Sequence, residues 1–230
     1  MGNVIQWRIG LEMYDSIFQL GNNWKITTEE FMGSNIIIID NFYKTPHLIR
    51  DFTLTPLPPL WRSDQKSRNG CFYQDRRLQA TFEDSIHNNN SKLLAQMCGQ
   101  KLTKDGANFT SNVTKYYKHS YNDIDNYYWW PHVDQGYNAI ISLNTEFGDN
   151  EYPGTALYHP DDANSNPPPE GLSPWIPKTD YRLVKHIKAK YNRCVLFDGL
   201  KFPHAMHIND YTFFDEFYRV NHVYFFEPHD

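Results

Sequence analysis

The sequence predicts an α+β fold, mainly β, with N-terminal helices packed on one sheet of an antiparallel sandwich or jelly roll. Three observations carry that expectation. Aromatic residues make up 16% of the chain, with 16 Tyr, 15 Phe and 6 Trp, and such side chains suit pleated surfaces and pocket linings. Short segments rich in β-branched or aromatic residues recur from about residue 108 to the end of the sequence, the spacing of a β-sandwich. Helical periodicity, by contrast, is confined to the first half.

Taken in order, Ile36–Asp40 is an apolar run of strand length. Asn41–Pro46 reads as a turn, with Thr45 as an N-cap and Pro46 at the first helical position of a short helix to about Thr53. Thr55–Ser63 holds three prolines and reads as a loop. Asp84–Leu102 reads as a helix with a stripe of Leu93, Leu94, Met97 and Leu102, weakened at its end by Gly99. The strands expected beyond it are Asn112–Lys118, Asn138–Asn144, Thr155–His159, Arg193–Phe197 and Tyr218–Glu227. Tyr158–Lys178 carries six prolines; it is too proline-rich for a core strand and too long for an ordinary connection, so it reads as a lid or rim. The expected organisation is a single domain, 1–230, with residues 1–107 as a strand and helix support and 108–230 as the core.

Composition narrows the function. A chain of 230 residues and 27.2 kDa is long enough to bury a core without staples. The net charge of −5 makes nucleic acid an improbable partner. There is no run of 18 apolar residues and no basic-then-apolar leader in Met1–Gly10, so no membrane partner and a cytoplasmic, intracellular location are expected. Cys71, Cys98 and Cys194 are odd in number and widely spaced, which suits reduced thiols.

One stretch carries chemistry. His132 and Asp134 are two apart, and residues i and i+2 of a strand share a face, so an imidazole and a carboxylate can converge. About 70 residues on, the strand ending at Phe197 is followed by Asp198-Gly-Leu-Lys-Phe-Pro-His204-Ala-Met-His207. A histidine from here completes two imidazoles and one carboxylate, the set with which non-heme Fe(II) oxygenases hold iron and leave coordination positions open. His204 and His207 both qualify; three apart on a strand they face opposite ways, and the Phe202-Pro203 turn favours His204. Arg219, in the strongly β-forming Tyr218–Phe226, is costly to bury without an anion, and its planar fork suits a carboxylate of the protein or of a ligand. Arg219 is expected on a strand next to that of His204.

The order Pro131-His-Val-Asp134, Asn138-Ala-Ile-Ile-Ser-Leu-Asn144, Gly154-Thr-Ala-Leu-Tyr158, Val195-Leu-Phe-Asp-Gly199, Pro203-His204 and Tyr218-Arg-Val-Asn221 resembles the Fe(II)/2-oxoglutarate-dependent dioxygenase superfamily, in its prolyl-hydroxylase-like branch. The resemblance runs from about Asn112 to Glu227, with a further likeness over Ile36–Arg50. It implies a double-stranded β-helix, Fe(II) held by His132, Asp134 and His204, and 2-oxoglutarate and O2 as co-substrates. Arg219 would bind the distal carboxylate of 2-oxoglutarate, helped by Tyr117 (with Tyr116 and Tyr121 as rivals) and bordered by Ser142, where relatives often carry a larger residue. The implied reaction hydroxylates a C–H bond of a peptide or small molecule and releases succinate and CO2. The competing expectations are a cupin-like metal module without 2-oxoglutarate chemistry, a non-catalytic interaction protein, and a zinc hydrolase using the same ligands.

Overall fold

The computed structural model describes residues 16–54, 62–63, 77–82, 85–99, 109–117, 127–129, 131–145, 154–164, 175–177, 181–207 and 218–227. Its elements in chain order are β1 (Lys25–Phe31), β2 (Ser34–Asp40), α1 (Pro46–Leu54), β3 (Arg62–Ser63), β4 (Arg77–Phe82), α2 (Ser85–Met97), β5 (Phe109–Tyr117), β6 (Tyr127–Trp129), β7 (Tyr137–Ser142), β8 (Gly154–Tyr158), β9 (Trp175–Pro177), β10 (Leu183–Lys188), β11 (Arg193–Asp198), β12 (His204–His207) and β13 (Tyr218–Phe226). All their pairings are antiparallel. An eight-stranded sheet runs β1-β2-β11-β7-β13-β5-β4-β3, a three-stranded sheet runs β10-β8-β12, and β6 pairs with β9.

The large sheet is covered on both faces, which explains why its central strands are apolar throughout rather than alternating. Ile37 and Ile39 of β2, Cys194 and Leu196 of β11, Ala139 and Ile141 of β7, and Val220 and Tyr224 of β13 face Phe18, Tyr43, Ile49, Leu94 and Ala95. This is the face on which α1 and α2 lie. Ile36, Val195 and Phe197 point the other way and pack on Leu157 of β8, Ile187 of β10 and Phe202. The two sheets therefore meet face to face. Strands from the first 107 residues (β1 to β4) belong to the same sheet as β5, β7, β11 and β13.

Several elements differ from the sequence expectation. β1 is a strand although Lys25-Ile-Thr-Thr-Glu-Glu-Phe31 shows no buried alternation; six of its seven residues are exposed. It is held by a seven-residue ladder to β2. Met32 and Gly33, with φ of 49° and 72°, supply the left-handed pair that a two-residue hairpin turn requires. α2 ends at Met97, and the chain leaves it through Gly99 at φ 72°, the usual left-handed exit. Its buried face is His87, Asn90, Ser91, Leu94 and Ala95, whereas Leu93 and Met97 are only half-buried. Thr45 precedes α1, but its hydroxyl is buried and meets no hydrogen-bond partner; its backbone carbonyl accepts from the Leu48 amide instead (3.1 Å). Within the proline-rich segment, Pro160–Asn164 is a 3-10 turn and Trp175–Pro177 is a strand on β6. Position 177 ends that strand, which lies at an edge of a two-stranded sheet where a missing N–H is tolerated. Residues 165–174 of that segment lie outside the described residues.

Candidate metal centre

Two connections build the site. Pro131–Gln135 links β6 to β7 and is pinned at two points. The His132 amide donates to the His204 carbonyl (3.1 Å), the His204 amide returns the bond to His132 (2.8 Å), and the Asp134 amide donates to the Gly199 carbonyl (3.0 Å). The second connection is the tight turn after β11. The Asp198 side chain accepts from the amides of Leu200 and Lys201 (3.0 and 3.1 Å), a local arrangement that Asp forms readily. The turn delivers His204 to the start of β12, where it pairs with Leu157 of β8. Asp198 thus shapes the turn, and Gly199 lies where a Cβ would come within 2.8 Å of Asn138 Nδ2 and of the Gly136 carbonyl.

These backbone ties bring His132, Asp134 and His204 together, with one ligand atom from each inside a 4.8 Å circle; no other such group of three occurs among the described residues. His204 is buried, while the side chains of His132 and Asp134 keep 39% and 24% of their surface open. The imidazole rings of His132 and His204 lie 4.8 Å apart, and Phe197 packs edge-on against His204 at 4.9 Å. The cluster therefore has an apolar floor and one accessible side.

Protons decide what the cluster can hold. His204 Nδ1 lies 3.0 Å from the Phe202 carbonyl. A carbonyl only accepts, so Nδ1 carries the hydrogen and, in a neutral ring, Nε2 carries the lone pair. That lone pair faces Asp134 Oδ2 at 3.1 Å. Burial pushes the Asp134 carboxyl up, but the His204 hydrogen bond, the charges of His204 and His132 and the Asn138 hydrogen bond outweigh it and hold the carboxyl well below the usual carboxylate range. An ionised carboxylate and an imidazole lone pair at that distance repel unless a donor or a cation lies between them: the Asn138 amide, which is 2.6 and 2.7 Å from the two atoms, a second proton on the ring, or a metal ion. A carbonyl-anchored imidazole beside a carboxylate is also how proteins orient histidine ligands. The donor set thus fits a divalent metal.

Asn138, which the sequence reading took only as the start of a strand, belongs to this group. Its Nδ2 lies 2.6 Å from Asp134 Oδ2 and 2.7 Å from His204 Nε2. A signal for it exists in the sequence. It is a polar residue at the head of an apolar strand, four positions after Asp134, and burying it costs energy unless it has partners.

The remaining candidates are placed as follows. His207 points away from the cluster and packs against His186 at 4.5 Å. Arg219 is buried in β13 with Nη1 donating to Asn221 Oδ1 (3.0 Å). Asn221 is in register with Ser142 of β7, so by strand alternation Arg219, Asn221, Ser142 and Asn138 share the face that looks toward the small sheet. Asn138 and Ser142 are four residues apart on β7, about 13 Å along the strand. Arg219 is not on a strand next to that of His204: β12 belongs to the three-stranded sheet and β13 to the eight-stranded one. The two residues therefore belong to different sheets rather than to adjacent strands. Tyr117 and Tyr116 are on β5, in register with Tyr218 and Arg219. Tyr121 lies outside the described residues.

Compared with models of protein families the chain matches none, and it matches no curated protein. Among solved structures, a prolyl-4-hydroxylase from Pseudomonas putida is similar to it at 8% identity and a TM-score of 0.42, over 90% of this chain and 92% of that one. That likeness is too slight to transfer a residue role or an activity. Among the described residues no helix is long and apolar enough to cross a membrane.

Proposed function

We propose that the protein is an oxygenase dependent on Fe(II) and 2-oxoglutarate, built on a jelly-roll frame, that hydroxylates a C–H bond of a peptide or small molecule with release of succinate and CO2. The convergence of His132, Asp134 and His204 within 4.8 Å carries this reading. Two imidazoles and one carboxylate would hold the metal and leave positions open for further ligands. When bound, the ferrous ion with 2-oxoglutarate and O2 supplies the oxidising chemistry.

The chain's own residues bind and orient. The Phe202 carbonyl fixes the His204 tautomer. Phe197 and the His132–His204 backbone bridge keep the inner side of the centre dry and rigid. Arg219 is buried on the same face of the large sheet, and its fork is braced by Asn221. That suits a guanidinium anchoring the distal carboxylate of 2-oxoglutarate, with Ser142 on that face; the β5 residue in register with Arg219 is Tyr116, whereas Tyr117 is in register with Tyr218. Substrate would approach on the side of His132, where Val133 and Leu200 are exposed.

The test is succinate formation with Fe(II), 2-oxoglutarate and O2, comparing the wild type with His132→Ala and Asp134→Ala. Turnover in the wild type and background levels in both variants support the reading; equal rates in all three overturn it. Arg219→Ala should raise the 2-oxoglutarate requirement at least tenfold while metal binding persists. Metal binding with no turnover under any 2-oxoglutarate concentration would favour the cupin-like alternative.

A further inference from the structure

We infer that Asn138 is a positioning residue of the metal centre: its carboxamide holds the Asp134 carboxylate in the orientation in which it meets a metal ion, and releases His204 Nε2 when a metal takes that lone pair. This rests on the metal-centre reading above and assigns a role to a residue outside the His-Asp-His set.

The argument begins with hydrogen-bond accounting. A carboxamide has two N–H donors and one acceptor oxygen. Nδ2 of Asn138 lies 2.6 Å from Asp134 Oδ2 and 2.7 Å from His204 Nε2; it donates to the carboxylate, and it meets the His204 lone pair only while no metal takes it. The opposite assignment of the amide would set Oδ1 against the Asp134 carboxylate, which is repulsive. The orientation is therefore chemically determined. Its consequence is that Oδ1 is buried with no hydrogen-bond partner among the described residues, an arrangement that destabilises the fold. Asn138 is 1% exposed on a strand whose neighbours Ala139 and Ile141 are fully buried. An apolar residue there would remove the orphaned oxygen. What the amide contributes is its hold on Asp134, and this offsets the cost only if the carboxylate must stay in one rotation.

The surrounding backbone is arranged around that amide. Gly199, whose carbonyl accepts from the Asp134 amide (3.0 Å), leaves no Cβ at a point 2.8 Å from Nδ2. Asp134 is thus fixed by its main chain to the Gly199 turn and by its side chain to β7, and His204 by Nδ1 to the Phe202 carbonyl. With Oδ2 held by Asn138, the carboxylate cannot rotate freely, and Oδ1 remains on the side of His132, 4.0 Å from its Nε2. Groups that orient a metal ligand in this way typically change metal affinity by about 10–100-fold when removed.

The experiment titrates Co(II) into metal-free protein and follows affinity by chelator competition and the d–d absorption spectrum. It uses wild type, Asn138→Leu, Asn138→Ala and His132→Ala, with thermal melting of each metal-free form. The expected result is one Co(II) per chain in the wild type. Both Asn138 variants should bind about 10–100-fold more weakly with an altered d–d spectrum, while their metal-free melting stays within about 3 °C of wild type. Wild-type affinity and spectrum in both variants would overturn the positioning role while leaving the metal centre intact. Affinity that falls only in step with melting temperature would overturn it too, since Asn138 would then be a packing residue. If the wild type binds Co(II) no better than His132→Ala, the metal-centre reading itself fails and this inference falls with it.

Discussion

Two polar clusters lie on opposite faces of the large sheet, and they settle their hydrogen bonds in opposite ways. On the helix side, the Tyr224 hydroxyl is a hub for Tyr43 Oη (3.0 Å), His87 Nδ1 (3.1 Å) and Asn90 Nδ2 (3.0 Å), and Tyr43 Oη also meets His222 Nδ1 (2.7 Å). Hydroxyls and neutral imidazoles can each donate or accept, so this network balances itself. Burial pushes His87 down to about 3 and His222 well below the ordinary imidazole value, so both stay neutral. On the opposite face, one carboxylate and two imidazoles converge around the Asn138 amide with one side open. The sheet is shared. The difference is that the first cluster is built of neutral groups, and the second gathers an ionised carboxylate and two imidazoles in a set that fits a divalent metal. Buried polarity of neutral groups serves stability; buried polarity that keeps a charge beside imidazoles is where to look for a ligand.

The largest effect expected from this contrast is at the open cluster. Asp134→Ala should lower divalent-metal affinity by more than about 100-fold, beyond what loss of an orienting group costs, and should also cost the metal-free chain some stability, because the depressed Asp134 carboxyl supports the fold at neutral pH. Isothermal titration with Co(II) alongside denaturant unfolding checks both, and unchanged metal affinity would erase the contrast. Next, Tyr224→Phe should destabilise the fold by about 2–3 kcal/mol, because it leaves several buried groups short of a partner, yet leave metal affinity unchanged. Denaturant unfolding and the same titration measure both halves of that statement.

The smallest effect is the pH dependence. A histidine depressed in the folded state binds its proton more readily when unfolded, so its neutral form supports the fold fully above pH 6.5. That support is lost as pH falls from 6.5 toward the folded value of about 3 for His87. By pH 5 His87 alone should cost about 2 kcal/mol. Unfolding of wild type and His87→Gln between pH 5 and 8 tests the sign: the wild type should lose stability more steeply on acidification. Parallel slopes would remove His87 from the account.

How much of this is legible in the sequence depends on the range of each interaction. His132 and Asp134 are only two residues apart, although they sit in the β6–β7 connection, held by backbone bonds to His204 and Gly199 rather than on the strand the spacing predicts, and the turn that aims His204 is written in Asp198-Gly-Leu-Lys-Phe-Pro203. Their convergence could be anticipated for that reason. β1 could not, because its residues face solvent and only the ladder to β2 makes them a strand. The buried face of α2 was likewise hidden. Its first half is His87, Asn90 and Ser91, polar residues buried against the Tyr224 network rather than an apolar stripe. The placement of Arg219 in a different sheet from His204 follows from where the chain crosses layers, which residue spacing does not encode.

By itself the sequence determined which residue types were on hand: a carboxylate and two imidazoles at strand-compatible spacing, an arginine amid β-formers, and short strands enough for stacked sheets. Local backbone periodicity is sufficient for that, since it acts over a few residues. Only the tertiary structure decided the rest. It chose His204 over His207 for the cluster, drew Asn138 into it, and turned one sheet into a wall with a network of neutral groups on one side and a candidate metal centre on the other. The reason is that hydrogen-bond balance belongs to a neighbourhood in space, and its members come from segments as much as 181 residues apart in the chain.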